Sequence, residues 1–191
     1  MPNPLQHSIP SASPELLAKA KLIKDSPFFT ATFVVGANPL IEKQQVFLSL
    51  VGIKPVSYVS AAHWTGDPAK LESAADDKHE LGAFLDELGL AYHFSGNESE
   101  TLAVVSKDSR LVEEFVNAPD EDNRTRGRLL GYPQTAIEWA ETRNWREDEA
   151  DLLEANGLAG MVFFRFSRDH AGEELEVVRQ WRRILETYGL A

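Results

Sequence analysis

The chain contains no cysteine. Disulfides, thiol nucleophiles and cysteine-containing zinc sites are thereby excluded, and the composition suits the cytoplasmic location expected for it. No stretch of about 18 or more apolar residues is present, so no membrane-spanning helix is expected. Met1 to Pro10 also lacks the basic start and apolar run of a secretory signal. Positive charge is in deficit: 30 Asp and Glu stand against 19 Lys and Arg, a formal net charge of −11. Nucleic acid and anionic membranes repel such a chain as a whole, so general binding to either is not expected. The short motifs of phosphate cradles and hydrolases are missing too. There is no Gly-x-Gly-x-x-Gly, no Gly-Lys-Ser/Thr, no Gly-x-Ser-x-Gly and no His-Glu-x-x-His.

What is present is an ordinary globular composition, 43% hydrophobic over 191 residues, enough to bury a core. Residues 1 to 13 are rich in Pro and Ser and read as a flexible N-terminus ahead of a single α/β domain over 14–191. Ser13-Pro14-Glu15 has the cap, proline and acid of a helix start, and that helix runs to about Lys24. Phe28 to Val35 is a continuous apolar, β-branched run, the pattern of a strand covered on both faces. Asn38-Pro39 opens a second helix that closes near Gly52, and Val56 to Ala61 reads as the next strand, which makes a right-handed parallel unit the expectation. A long helix from about Ala69 to Leu88 ends at Gly89. Ala91 to Ser95 and Thr101 to Ser106 then fit a hairpin. From about 108 to 157 the pattern is helical throughout, an all-helical insert. The chain returns to the sheet at Met161 to Phe166 and closes with a helix from about Ala171 to Tyr188, whose stripe is Val177, Trp181, Ile184 and Tyr188. The fold expected is α/β: a small mixed sheet of four to five strands with flanking helices and that insert.

Within the insert, Arg124-Thr-Arg-Gly-Arg-Leu-Leu-Gly-Tyr-Pro-Gln-Thr-Ala-Ile-Glu-Trp139 reads as a sharp corner between two helices. Gly131 suits the left-handed residue that ends a helix, and Pro133 suits the start of the next. The free N–H groups around Gln134 and Thr135 make an anion site conceivable there, with Arg124, Arg126 and Arg128 just upstream. The plainer reading is that these arginines pair along their own helix, because Asp120 to Arg124 and Asp122 to Arg126 have the favourable spacing of four. Leu129-Leu-Gly-Tyr-Pro133 resembles the Leu-Leu-Gly-Tyr-Pro signature of a loose set of uncharacterised proteins in which two cysteines often follow one residue later. This chain carries Thr135 and Ala136 there, so thiol or metal chemistry based on those cysteines is absent. The resemblance covers about ten residues and implies no activity.

Ligands in open α/β sheets bind beyond the carboxyl ends of the strands. On that rule Asn38, His63, Trp64, Arg168, Asp169 and His170 share one rim, and a histidine there beside Asp67 or Asp169 has the chemistry of a general base. The competing reading makes His63-Trp64 a plugged strand end and His170 a helix N-terminal residue. His63, Asp67, Asp76, Asp77, His79 and His93 lack metal-ligand spacing, so no metal is expected, and no cofactor is implied. All eight lysines lie at or before Lys107 and all eleven arginines at or after Arg110. The planar arginine fork suits carboxylate and phosphate, so an anion is better sought in the C-terminal half. The ligand-binding set expected is thus Asn38, His63, Trp64, Arg124, Arg128, Arg168 and His170, holding a small anionic ligand. The alternative is a protein partner or a homodimer docked on the insert, with Trp139 and Trp145 beside its charged residues.

Overall fold

The computed structural model describes residues 12–26, 39–60, 68–96, 101–142, 146–159, 161 and 164–191. The elements are α1 (Pro14–Asp25), α2 (Pro39–Leu50), β1 (Ser57–Ser60), α3 (Pro68–Leu88), β2 (Ala91–Gly96), β3 (Thr101–Ser106), α4 (Ser109–Asn117), α5 (Asn123–Leu129), α6 (Gln134–Thr142), α7 (Glu149–Ala155) and α8 (Ala171–Thr187). This is a mixed α/β architecture in which eight helices surround three strands among the described residues. The expected strand at Phe28 to Val35 and the residues Asn38, His63, Trp64 and Asp67 lie outside the described residues.

The helix boundaries follow from local chemistry. Ser13 caps α1 by accepting from the Leu16 N–H, and Asp108 caps α4 by accepting from the Arg110 N–H. The hairpin forms as expected, with Ala91 opposite Ser106 and Gly96 opposite Thr101. The sheet order is β1-β3-β2 and both pairings are antiparallel. Because side chains alternate along a strand, β3 serves two cores. Ala103 and Val105 join the larger one, with Phe47 of α2, Leu85 of α3 and Trp181 of α8. Val104 faces Val112 and Phe115 of α4 and Leu129 of α5 in the smaller one. The first two helices of the expected insert, α4 and α5, therefore cover a face of the sheet, while Ala136 of α6 and Leu153 of α7 join the larger core.

One sequence expectation is corrected. Phe164, Arg165 and Phe166 are not in a strand. The backbone of Phe166 finds other partners: its N–H donates to the Glu149 carboxylate and its carbonyl accepts from the Arg146 N–H. A side chain from α7 thus occupies a position that a neighbouring strand would take. The apolar alternation of the run is still used, since Phe164 and Phe166 are buried and Arg165 is exposed.

The corner has the form expected of it. Gly131 has φ +72°, and the Tyr132 N–H donates to the Gly127 carbonyl while the Gly131 N–H donates to the Arg128 carbonyl. This is the Schellman pattern that satisfies the last carbonyls of a helix. The Val56 N–H donates to the Leu129 carbonyl at 2.9 Å, tying the corner to the entrance of β1.

Candidate functional site

The corner forms one side of a cleft of about 300 Å³. Its apolar wall comes from Ala136, Ile137, Trp139 and Ala140 of α6 with Leu130 before the corner. Tyr58 of β1, Phe115 of α4 and Phe164 lie around it. Gly127 allows the two corner helices to come this close, because a Cβ there would lie 2.8 Å from Cγ1 of Ile137. The polar groups at the cleft are Asp120, Asn123, Arg126, Arg165, Ser167 and the Tyr58 hydroxyl.

Arg126 is the central charge. Its guanidinium carbon lies 5.0 Å from the centroid of the Phe115 ring, within cation–π range, and Phe115 in turn meets Tyr58 edge to face at 5.0 Å. Its Nη2 donates to the Ala118 carbonyl at 3.1 Å and meets the Asp120 carboxylate at 2.6 Å, while Nη1 reaches the Tyr58 hydroxyl only at 3.5 Å. The Nε–H is buried and has no acceptor among the described residues. Asp120 is 86% exposed whereas Arg126 is 24% exposed, so the ion pair reaches from the cleft out into water, where such pairs contribute little. Burial raises the Tyr58 hydroxyl above its ordinary value, and Arg126 opposes that shift.

The two other arginines of the corner are engaged elsewhere. Arg124 makes a two-pronged contact with Glu141 of α6 at 2.9 and 3.1 Å, and Arg128 pairs with Glu114 of α4, both on the exposed surface. The expected helix-face pairs from Asp120 to Arg124 and from Asp122 to Arg126 do not form, because α5 begins only at Asn123. Asp122 is its N-cap and accepts from the Thr125 N–H, leaving Asp120 ahead of the helix and able to reach Arg126.

A carboxyl group of the protein itself reaches the start of α6, at the Thr135 hydroxyl. Glu174, fully buried, accepts from the Thr135 hydroxyl and from the Ser167 N–H, each at 2.8 Å. These bonds join α8 to the corner and to the segment leading out of Phe166. Ser167 lines the cleft, and its hydroxyl accepts from the His170 N–H.

Of the expected rim, Arg168, Asp169 and His170 are described. Arg168 and Asp169 are exposed. His170 lies with its ring 6.4 Å from that of Trp139, and its nearest described carboxylate is Glu173, at 3.9 Å, too long for a hydrogen bond and on the exposed surface. His170 thus neighbours Trp139 without lining the cleft, and the described geometry gives it no orienting acid. No group of three or more metal-ligand side chains occurs among the described residues. No helix among them is long and apolar enough to cross a membrane.

A second buried charge lies behind the cleft. Lys54 is fully buried, its Nζ 5.5 Å from the Tyr132 ring, 5.2 Å from the Trp181 ring and 3.3 Å from the Gln45 amide oxygen. Burial pulls its ammonium down to about 7 and pushes the neighbouring Tyr132 hydroxyl up to about 12. Lys54 sits just before Pro55, whose carbonyl accepts from Ser106, and Gly131 packs over its backbone.

Of the corner arginines, Arg126 lines the cleft, whereas Arg124 and Arg128, the two expected to hold a ligand, pair with Glu141 and Glu114. The available signal was Gly127, a glycine inside a helix, which marks close packing at that point. Compared with protein-family models, curated proteins and solved structures, the chain matches none.

Proposed function

We propose that this protein binds a small organic anion in the cleft at the α5–α6 corner, with Arg126 as its anchor. The observation that carries this reading is the state of Arg126: a half-buried guanidinium in an apolar-walled cleft, with one buried N–H lacking an acceptor among the described residues, a solvent-exposed Asp120 as its contact ion pair, and Asp122 acting on it only through space. A buried donor without a partner costs free energy, and a ligand carboxylate that replaces Asp120 at Nη2 removes that cost when its second oxygen reaches the Nε–H. Beside the expected Arg168 and His170, Ser167 lines the cleft, and the His170 ring lies 6.4 Å from that of Trp139. Asn38, His63 and Trp64, a fourth strand over Phe28 to Val35, and a cytoplasmic location belong to the same proposal and rest on sequence alone. The resemblance of Leu129 to Pro133 adds no chemistry to it.

The test is a thermal-shift screen of organic anions, followed by titration of any binder against the Arg126→Gln variant. The expected result is a binder whose affinity falls about tenfold or more when the guanidinium is removed. A screen in which no anion moves the melting temperature, or a binder indifferent to Arg126, sinks the idea. The alternative is a non-catalytic interaction or regulatory protein that presents the insert to a partner or to a second copy. Of its two tryptophans, Trp139 is committed to the cleft wall and Trp145 lies outside the described residues. Light scattering that shows a monomer would count against self-association.

A further inference from the structure

We infer that the anion taken by this cleft is a flat aromatic monocarboxylate, its carboxylate on Arg126 and its ring against Trp139; this rests on the reading that the cleft binds an organic anion at all. Three features select that class. The first is size. About 300 Å³ stands at the lower edge of the roughly 300–1,000 Å³ typical of small-molecule sites, which suits a one-ring acid and leaves no room for a dinucleotide.

The second is the charge count. Arg126 carries a buried N–H without an acceptor among the described residues. Arg165, the other arginine at the cleft, is engaged with Glu149 at 3.2 Å and with the Arg146 carbonyl at 3.5 Å. One available guanidinium matches one carboxylate, because the planar fork offers Nε–H and an Nη–H side by side to two coplanar oxygens. A phosphate dianion would face a single cation and the nearby Asp120 carboxylate. The third is the wall. Trp139, Phe115, Leu130 and Ile137 present aromatic and branched apolar surface, which an inorganic anion would leave wet and an aromatic ring would cover.

Asp120 has a defined part in this arrangement. Its carboxylate already lies 2.6 Å from Nη2 of Arg126, in the position a ligand carboxylate would take, and it is 86% exposed and free to swing into water. The ligand therefore exchanges with an intramolecular competitor of the same chemistry.

Calorimetric titration with four probes tests the class: phenylacetate, its neutral analogue phenylacetamide, acetate and inorganic phosphate. Phenylacetate is expected to bind, with the other three weaker by about tenfold or more. Binding should be lost in Arg126→Gln, and also in Ala140→Leu, which fills the cleft from α6 without touching the guanidinium and serves if the arginine variant does not fold. Acetate or phosphate binding as tightly as phenylacetate, with the same dependence on Arg126, would overturn the aromatic class and leave an anion site standing. If none of the four binds while another organic anion does so through Arg126, the class again fails alone. Phenylacetamide binding as tightly as phenylacetate, or binding indifferent to both substitutions, would remove the class and the anion site together.

Discussion

Replacing Lys54 by methionine is expected to make the protein more stable at neutral pH. The gain should shrink as the pH rises. The side chain is fully buried against the faces of Tyr132 and Trp181, and burial pulls its ammonium from 10.5 to about 7. In the unfolded chain Lys54 keeps its proton up to its ordinary value, whereas the folded protein gives it up near neutrality. Between these values the unfolded state binds more protons, so this group's contribution to stability improves with rising pH through the window and is constant below it. At about 1.4 kcal/mol per pH unit the full penalty, present at and below the lower value, is on the order of 4–5 kcal/mol. Methionine keeps the unbranched shape and removes the penalty, but it loses the Gln45 contact and the cation–π contacts, about 1–3 kcal/mol together. The net expectation at pH 7 is a gain of about 1–3 kcal/mol. Urea unfolding of both proteins at pH 7, 8 and 9 isolates the effect, since other titrating groups are common to the pair. The advantage of Lys54→Met should fall by roughly 2 kcal/mol between pH 7 and pH 9. An advantage that does not change with pH would refute the reasoning, because it would mean that Lys54 holds its proton equally in both states.

Other substitutions probe the corner and the cleft. Gly127→Ala should destabilise by about 1–3 kcal/mol despite the better helix propensity of alanine, because its Cβ would lie 2.8 Å from Cγ1 of Ile137; equilibrium unfolding that shows a gain would contradict the close packing of α5 on α6. Glu174→Ala should cost about 3 kcal/mol or more by stranding the Thr135 hydroxyl and the buried Ser167 N–H, with Glu174→Gln costing less; equal losses in denaturant titrations would argue that the carboxylate oxygens do not hold the corner to α8. Asp120→Asn should tighten the binding of a carboxylate ligand about threefold to tenfold by weakening its competitor for Arg126, and a calorimetric affinity that falls instead would place Asp120 among the groups that hold the ligand.

Much of the local structure was legible because it rests on short-range rules. The left-handed glycines that end segments, Gly52, Gly89, Gly131 and Gly157, were each readable as a helix stop. The stripe of α8 was readable too, and Val177, Trp181, Ile184 and Tyr188 are all buried. The cleft was not legible, because its walls come from Tyr58, Phe115, Arg126, Trp139 and Ser167, five positions spread over the chain and joined only by packing. The arginine pairing misled for a local reason. The spacing rule for ion pairs assumes that both residues are in one helix, and here Asp122 is the cap of α5 while Asp120 precedes it. The run at Met161 to Phe166 has the alternation of a strand, but alternation reports burial on one side, and the Glu149 carboxylate supplies the backbone partner that a strand would have given Phe166.

The electrostatics of the whole chain bear on where an anion can bind. At a net charge of −11 the protein repels anions at long range, so a site on its open surface would work against the overall field. The exposed corner arginines do not change this, because Arg124 and Arg128 are each matched by a carboxylate within contact distance. Arg126 differs in being held in a cleft walled by apolar side chains, where the local dielectric is lower than in water and a short contact outweighs distant charges screened beyond about 8–10 Å. The strongest nearby opposition is Asp120, which salt screens more readily than it screens the half-buried Arg126. Moderate salt should therefore weaken the competitor and the long-range repulsion more than it weakens the ligand's own contact. An affinity nearly independent of ionic strength, or slightly favoured by it, is what an anion site inside an acidic protein requires of this geometry.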